Sequence, residues 1–249
     1  MRSVYSTLFL LLILLGSGFT HNTFKEEQLR YPRVRQAYAD KEQELKTLLT
    51  QNGIRMEEIQ LYLRGFKHER ELEVWAKNRD DQRFQLLKTY EMCRTSGALG
   101  PKRKQGDGQI PEGYYHLSHF NPSSNFYLSL KVNYPNRSDQ ILGQRGNLGG
   151  DIFLHGACVT IGCIPITDDK IKELYLLCVE ARNNGQSTIP ITLFPANLNN
   201  DVYATLIADQ PNPKVKDLWT DLKAGYDYFN RHQTLPNISF LANGRHRVQ

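Results

Sequence analysis

From residue 59 to residue 155 the chain runs in short segments where apolar and polar residues take turns. That period of two commits the middle of the molecule to β structure. "IQLYLRGF" and "RELEVWAKN" alternate around a polar turn, and "RFQLLKTYEM" reads as a further strand. "YYHLSHF", "FYLSLKVNY" and "DIFLHG" continue the pattern beyond a long loop, "TSGALGPKRKQGDGQIPEG" at residues 95–113, rich in glycine, proline and lysine. Clusters such as "FNPSSN" and "YPNRSD" have turn chemistry and separate the strands.

Past Cys163 the period changes. Ile171, Leu174, Tyr175, Cys178 and Val179 are spaced as the buried stripe of a helix, with Thr167 or Asp168 as its cap. "TIPITLFP" is one more strand, and Leu218, Trp219, Leu222, Tyr226 and Phe229 mark a C-terminal helix. Before the strands, residues 31–49 form a charged helix with Pro32 in its first turn and Val34, Ala37, Tyr38, Leu45, Leu48 and Leu49 along one side. Gly53 stops it. The tail "GRHRVQ" carries no pattern. The fold class is therefore mostly β, of the α+β kind, with flanking N- and C-terminal helices.

A chain of 249 residues, 40% of them hydrophobic, can bury one substantial core. Its net charge of +5 is modest and contains no Lys/Arg-rich run, which argues against nucleic acid as a partner. At the N-terminus Arg2, an apolar run over 8–15 and then Gly16, Ser17 and Gly18 stand in the order of a secretory signal. The run is shorter than the ~20 residues of a membrane span. These features predict export, a mature chain beginning near residues 19–22, and no stable membrane span after cleavage.

Export bears on the cysteines, because pairs outside the cytoplasm oxidise. Cys93, Cys158, Cys163 and Cys178 allow two structural bridges, yet a domain of this size does not need staples. The stretch "DIFLHGACVTIGCIPITDD", residues 151–169, gathers His155, Cys158, Thr160 and Cys163 with Gly156 and Gly162. Three readings compete. The residues are a buried knot of structural side chains, a metal site of His155, Cys158 and Cys163, or a thiol nucleophile with an imidazole base. The metal reading lacks the paired C-x-x-C spacing of structural zinc. The catalytic reading has a rationale: a free thiol of pKa ~8.5 is mostly protonated at neutral pH, and a nearby imidazole takes that proton and returns it to a leaving group. Gly162 lets the backbone bend before the nucleophile, where N–H groups can face an oxyanion. Spacing alone does not choose among the three.

The run "HGACVTIGCIPITDDKIKELY" resembles the active-site region of L,D-transpeptidases with the YkuD-type catalytic domain, closest to the YafK-like branch of transpeptidases and amidases. "GPKRKQGDGQIPEGYY", "YLSLKVNYPNRSD" and "GGDIFLHG" follow the family's motifs in the same order. The resemblance implies a β-sandwich or barrel-like domain over 70–200. It leaves 1–20 as signal, 21–69 as an N-terminal helical and strand extension, and 201–249 as a C-terminal helical extension. Cys163 is implied as nucleophile and His155 as general base, with Gly162, Thr160 and Gly156 as loop and oxyanion support. Lys102, Arg103, Lys104, Lys131, Arg137 and Arg145 fall near the implied cleft, and Lys102 and Arg145 are candidates for binding substrate carboxylates. No cofactor and no metal is implied.

The implied activity is attack on a carbonyl next to diaminopimelate in peptidoglycan stem peptides, by way of a thioester. The acyl group then passes to an amine or to water, and in the amidase variant a wall-attached protein is a further partner. The implied location is the periplasm or cell envelope. Two departures bear on the acceptor: Ile161 stands where many members have a second histidine, and Pro165 where an arginine or asparagine is common. Cys158 and Cys178 are expected to be packing residues, and a Cys158–Cys163 bridge would silence the site. The rival from another class is a non-catalytic peptidoglycan-binding module that keeps the fold.

Overall fold

A computed structural model describes residues 23–249, so the expected export signal lies outside the described residues. The elements are α1 (Phe24–Gln28), α2 (Pro32–Gln51), β1 (Ile59–Phe66), β2 (Glu71–Asn78), β3 (Gln85–Glu91), β4 (Gly113–Asn121), β5 (Ser129–Val132), α3 (Arg137–Leu142), β6 (Phe153–His155), β7 (Ile164–Pro165), α4 (Asp168–Asn183), β8 (Ile189–Phe194), α5 (Asn200–Asp209), α6 (Pro213–His232), β9 (Ile238–Phe240) and β10 (His246–Val248). The first eight strands join in one mixed sheet of order β3-β2-β1-β8-β4-β5-β6-β7, and β9 and β10 form a separate hairpin. The chain is α+β, as its periodicity predicts. β8 pairs parallel to β1 and antiparallel to β4, which puts the last long strand in the middle of the sheet.

Alternation assigns each strand residue to a face. Leu61 and Leu63 of β1, Ile191 and Leu193 of β8, Leu117 of β4, Leu154 of β6 and Ile164 of β7 join the main core. α2 and α4 cover it, with Val34, Ala37 and Leu45 meeting Leu174, Leu177 and Cys178. On the opposite face Phe66 and Phe194 stack with ring centroids 5.3 Å apart under Leu218, Trp219, Leu222 and Tyr226 of α6. Arg64 is buried there among the rings of Phe66, Trp75, Tyr226 and Phe229, each about 5 Å away. It donates to Glu73 at 2.8 Å and to Asn230 at 2.7 Å.

A second buried cation ties the long loop down. Lys67, just past β1, donates to the carbonyls of Ala98, Gly100 and Ile110 at 3.0, 2.8 and 3.0 Å and to Glu112 at 2.9 Å. Glu112 also accepts from Gly100 N–H and from the Trp219 indole, both at 2.7 Å. One carboxylate therefore joins β1, the loop and α6. Leaving either ion without its partner in this interior costs ~3–5 kcal/mol.

The structure adds order that the periodicity missed. "YPNRSD", read as a turn, starts α3: Asn136 accepts from Asp139 N–H, and Asp139 accepts from Asn136 N–H. Residues 200–209, not singled out by pattern, form α5 behind the Asn199 cap. The patternless tail contains β10, and its hairpin is clamped to α6. Arg245 forks onto Asp221 at 2.9 and 3.1 Å, and the His246 N–H donates to Asp221 at 2.8 Å. The His246 ring stands 3.6 Å from the same carboxylate.

Burial works to raise Asp221, but the facing His246 ring, the Arg245 fork and the His246 N–H outweigh it and hold the carboxyl at about 2. A depressed carboxylate contributes stability above its unfolded pKa of ~3.9 and loses it as pH falls through the folded value. Between pH ~4 and 2 the chain should therefore lose about 2 kcal/mol from this site. Denaturant melts across that window should show the loss, and Asp221→Asn should remove this pH-dependent part.

Candidate active site

β6 and β7 run parallel, with Leu154 opposite Ile164 and His155 opposite Pro165. One residue earlier in both strands, the same register sets Cys163 beside Phe153. Because Phe153 and His155 share a face, Cys163 and His155 are diagonal neighbours on the side away from the main core. Such neighbours stand ~7–8 Å apart at Cα.

The connecting loop, residues 156–163, is shaped by local chemistry. Gly162 has φ +136°, and a methyl group there would sit 3.0 Å from Gln109 O, so only glycine fits. Thr160 Oγ1 accepts from Gly162 N–H at 3.0 Å and donates to Cys163 O at 2.7 Å, closing the turn beside the thiol. Gly156 packs so tightly that a methyl group would lie 2.8 Å from Phe126 O. Ala157 N–H donates to Asp168 at 2.7 Å, which fastens the loop to the first turn of α4.

His155 is 1% exposed, and the Phe126 ring stacks on it with centroids 4.6 Å apart. Its Nδ1 bonds to Gly156 O. A carbonyl only accepts, so the neutral ring carries its proton on Nδ1 and presents Nε2 as a base. Burial pushes the ring's pKa down, against the Gly156 carbonyl and the negative charge of Asp168, which favour the protonated form. The imidazole is thus neutral at ordinary pH, with the Asp168 carboxylate near enough to steady a protonated ring.

Cys163 is half-buried and free, and its thiol donates to Asp151 O at 3.5 Å. Burial pushes the thiol pKa up; the Phe153 N–H and the Lys102 ammonium pull down, and the Asp151 charge adds to the rise. The resting pair is therefore a neutral thiol and a neutral imidazole, with no hydrogen bond between them in this arrangement of the described residues.

Cys158 does not pack as a buried thiol. It is exposed and forms a disulfide with Cys93, Cα–Cα 5.8 Å across a separation of 65 residues. This corrects the expectation of a packing residue: Cys158 sits at the loop's outer turn, where the end of β3 comes alongside. Cys178 is fully buried and free, as expected.

Lys102 is 4% exposed, its ammonium held by Asp107 at 2.7 Å and Lys104 O at 2.8 Å. Its charge reaches Cys163 from within the fold. Arg103 pairs with Asp139 at 2.7 Å. Arg145, Arg137 and Lys104 are exposed. Lys131 lies over the Phe153 ring at 5.7 Å and pairs with the exposed Asp151 at 2.8 Å. Phe126, Asp151 and Asp168 shape this site, yet their signals in the sequence were structural: Phe126 and Asp151 open segments read as strands, and Asp168 is a candidate helix cap. Among the described residues no three His, Cys, Asp or Glu side chains come together to hold a metal.

Residues 67–191 match the model of the L,D-transpeptidase catalytic domain. The chain belongs to this family. It is 34% identical over 195 residues to YafK of Escherichia coli (strain K12), named as a candidate L,D-transpeptidase, covering 76% of this chain and 73% of that one. Among solved structures it is similar to the helical cell shape determining protein Pgp2 of Campylobacter jejuni (16% identity, TM-score 0.44, 79% of this chain and 80% of that one). It is also similar to L,D-transpeptidase 1 of Mycobacterium tuberculosis (16%, 0.30, 54% and 62%).

Two outcomes test this geometry. Iodoacetamide should modify the native protein once, at Cys163, at a rate that keeps climbing past the ordinary thiol range near pH ~8.5, with Cys178 reacting only after unfolding. A plateau at neutral pH would contradict the raised thiol. Replacing Cys93 and Cys158 together by serine should lower stability by up to about 4 kcal/mol, read from denaturant melts, because the bridge closes a long loop in the unfolded chain.

Proposed function

We propose that the chain is an exported cysteine acyl-transfer enzyme that acts on peptidoglycan stem peptides, with Cys163 as nucleophile and His155 as general base. The observation that carries this reading is the free thiol beside an imidazole whose Nδ1 is already engaged by Gly156 O. Nε2 is then the nitrogen that takes the thiol proton as sulfur attacks a carbonyl next to diaminopimelate. The N–H of Cys163, at the end of the turn that Thr160 closes, faces the oxyanion of the tetrahedral adduct. His155 returns the proton to the leaving amine, and a thioester on Cys163 remains.

The second half of the reaction decides the product. An amine acceptor gives a crosslinked or ligated wall; water gives amidase or hydrolase chemistry, including release of a protein joined to diaminopimelate. Ile161, 88% exposed, and Pro165 in β7 bring no polar side chain to where many members of the family have one. That difference favours the smaller acceptor, water. Likeness to YafK over most of both chains supports the same branch. Neither reaction uses a cofactor. The proposed location is the periplasm or cell envelope; no helix among the described residues is long and apolar enough to cross a membrane.

Purified protein incubated with muropeptides in ¹⁸O-enriched water should release stem-peptide products carrying the label, read by mass spectrometry. Unlabelled crosslinked products would assign transpeptidation instead. Cys163→Ala should lower turnover by at least about 10³-fold, and His155→Ala by about 10²–10⁴-fold. Full activity in Cys163→Ala would overturn Cys163 as the nucleophile, and tight wall association with no turnover by the intact chain would leave a binding module.

A further inference from the structure

Resting on the catalytic reading above, we propose a saccharide subsite next to the reaction centre that takes the N-acetylated amino sugar at the head of the stem peptide. The molecule has a cavity of about 670 Å³ that contains neither Cys163 nor His155 in its wall. Small-molecule sites fall at ~300–1,000 Å³. Its floor is β1, β8 and β4, where Tyr62, Thr192, Pro190, Tyr114 and His116 point away from the main core. Alternation along β4, β5 and β6 makes this the same face that carries Cys163 and His155.

The two sites also share a height on the sheet. His116 N–H donates to Asn133 Oδ1 at 2.8 Å and Asn133 N–H to His116 O at 3.0 Å, while Val132 N–H donates to Ile152 O at 2.8 Å. His116, Asn133 and Asp151 therefore lie in one transverse row, and Asp151 O is the acceptor of the Cys163 thiol. Two strand spacings of ~4.8 Å separate cavity and carbonyl by about 10 Å. Three residues of extended chain cover ~10 Å. Diaminopimelate is the third residue from the sugar, so a stem lying across β5 with its reacting carbonyl at Cys163 delivers its sugar end to the cavity.

The lining suits that occupant. Rings of Tyr114 and Phe240 offer apolar faces, and Asn133, Gln140 and Thr188 offer amide and hydroxyl groups. With Asn133 Oδ1 occupied, its Nδ2 is the donor left for an acetamido oxygen. No carboxylate lines the wall and Arg137 is its one permanent charge, which disfavours a cationic ligand. Burial also holds His116 toward its neutral form. A peptide strand is a poorer match. β4 and β8 are paired on both sides, so no sheet edge is open for backbone recognition, and α3 and the C-terminal hairpin bound the space.

The test uses the full chain with Cys163→Ala, so that bound material is not turned over. Calorimetric titration with a disaccharide-stem peptide should show at least about tenfold tighter binding than the same peptide without sugar, equivalent to ~1.4 kcal/mol. Thr188→Trp, which fills the mouth from an exposed position, should shrink that ratio toward one and leave the affinity for the sugar-free peptide unchanged. In NMR spectra the disaccharide alone should shift resonances of Tyr114 and Phe240. Equal affinities, a ratio that survives Thr188→Trp, or shifts produced by an apolar peptide and not by the disaccharide would overturn the subsite. If the disaccharide shifts those resonances while the wild-type chain cleaves no stem peptide, the catalytic reading falls and the subsite stands. If wild-type cleaves both peptides equally well and the cavity is silent, the reverse holds.

Discussion

The pairing of β6 with β7 is the constraint on which the site depends. Neither strand is long; three residues and two are joined through Leu154–Ile164 and His155–Pro165. Their inner side chains, Leu154 and Ile164, are fully buried against α4, and this anchors a ribbon too short to persist alone. Slipping the register by one residue would turn Cys163 into the core and expose Ile164. The apolar burial of two residues thus fixes the face of the sheet that Cys163 and His155 share.

Around that ribbon the fold supplies restraints from three directions. Asp168 at the head of α4 holds the loop at Ala157, the Cys93–Cys158 bridge holds its outer turn to β3, and Gln109 on the long loop crowds Gly162 from the third. The long loop is itself rigid because Lys67 and Glu112 saturate their hydrogen bonds inside it. A loop that looked structureless by composition is thereby a wall of the site. It also carries Lys102, whose buried ammonium partly offsets the desolvation of the thiol.

Much of this was legible in the sequence, for a physical reason. Strands with one buried face leave a period of two, and α2, α4 and α6 leave a wider stripe, so β1, β2, β4, β8 and the long helices could be read directly. The candidate pair could be named because a histidine ending a strand and a glycine-cysteine step are local features, but only the family resemblance singled out the catalytic reading from a structural knot or a metal site. What was hidden is relational. Asn136 capping α3 looks like any turn asparagine until the helix is seen, and Arg245 and His246 have meaning only against Asp221 on α6. The partner of Cys93 lies 65 residues away and no spacing announces it. Phe126 opens a segment whose period reads as a strand, yet it sits in the turn before β5 and reaches His155 from there.

The burial that keeps the Cys163 thiol protonated has a consequence for its survival. Peroxides attack the thiolate far faster than the thiol, and the first product, a sulfenic acid, is the start of irreversible loss. A sulfur that stays protonated offers oxidants little thiolate to react with. The same desolvation that slows alkylation thus shelters the residue from the first step of oxidation.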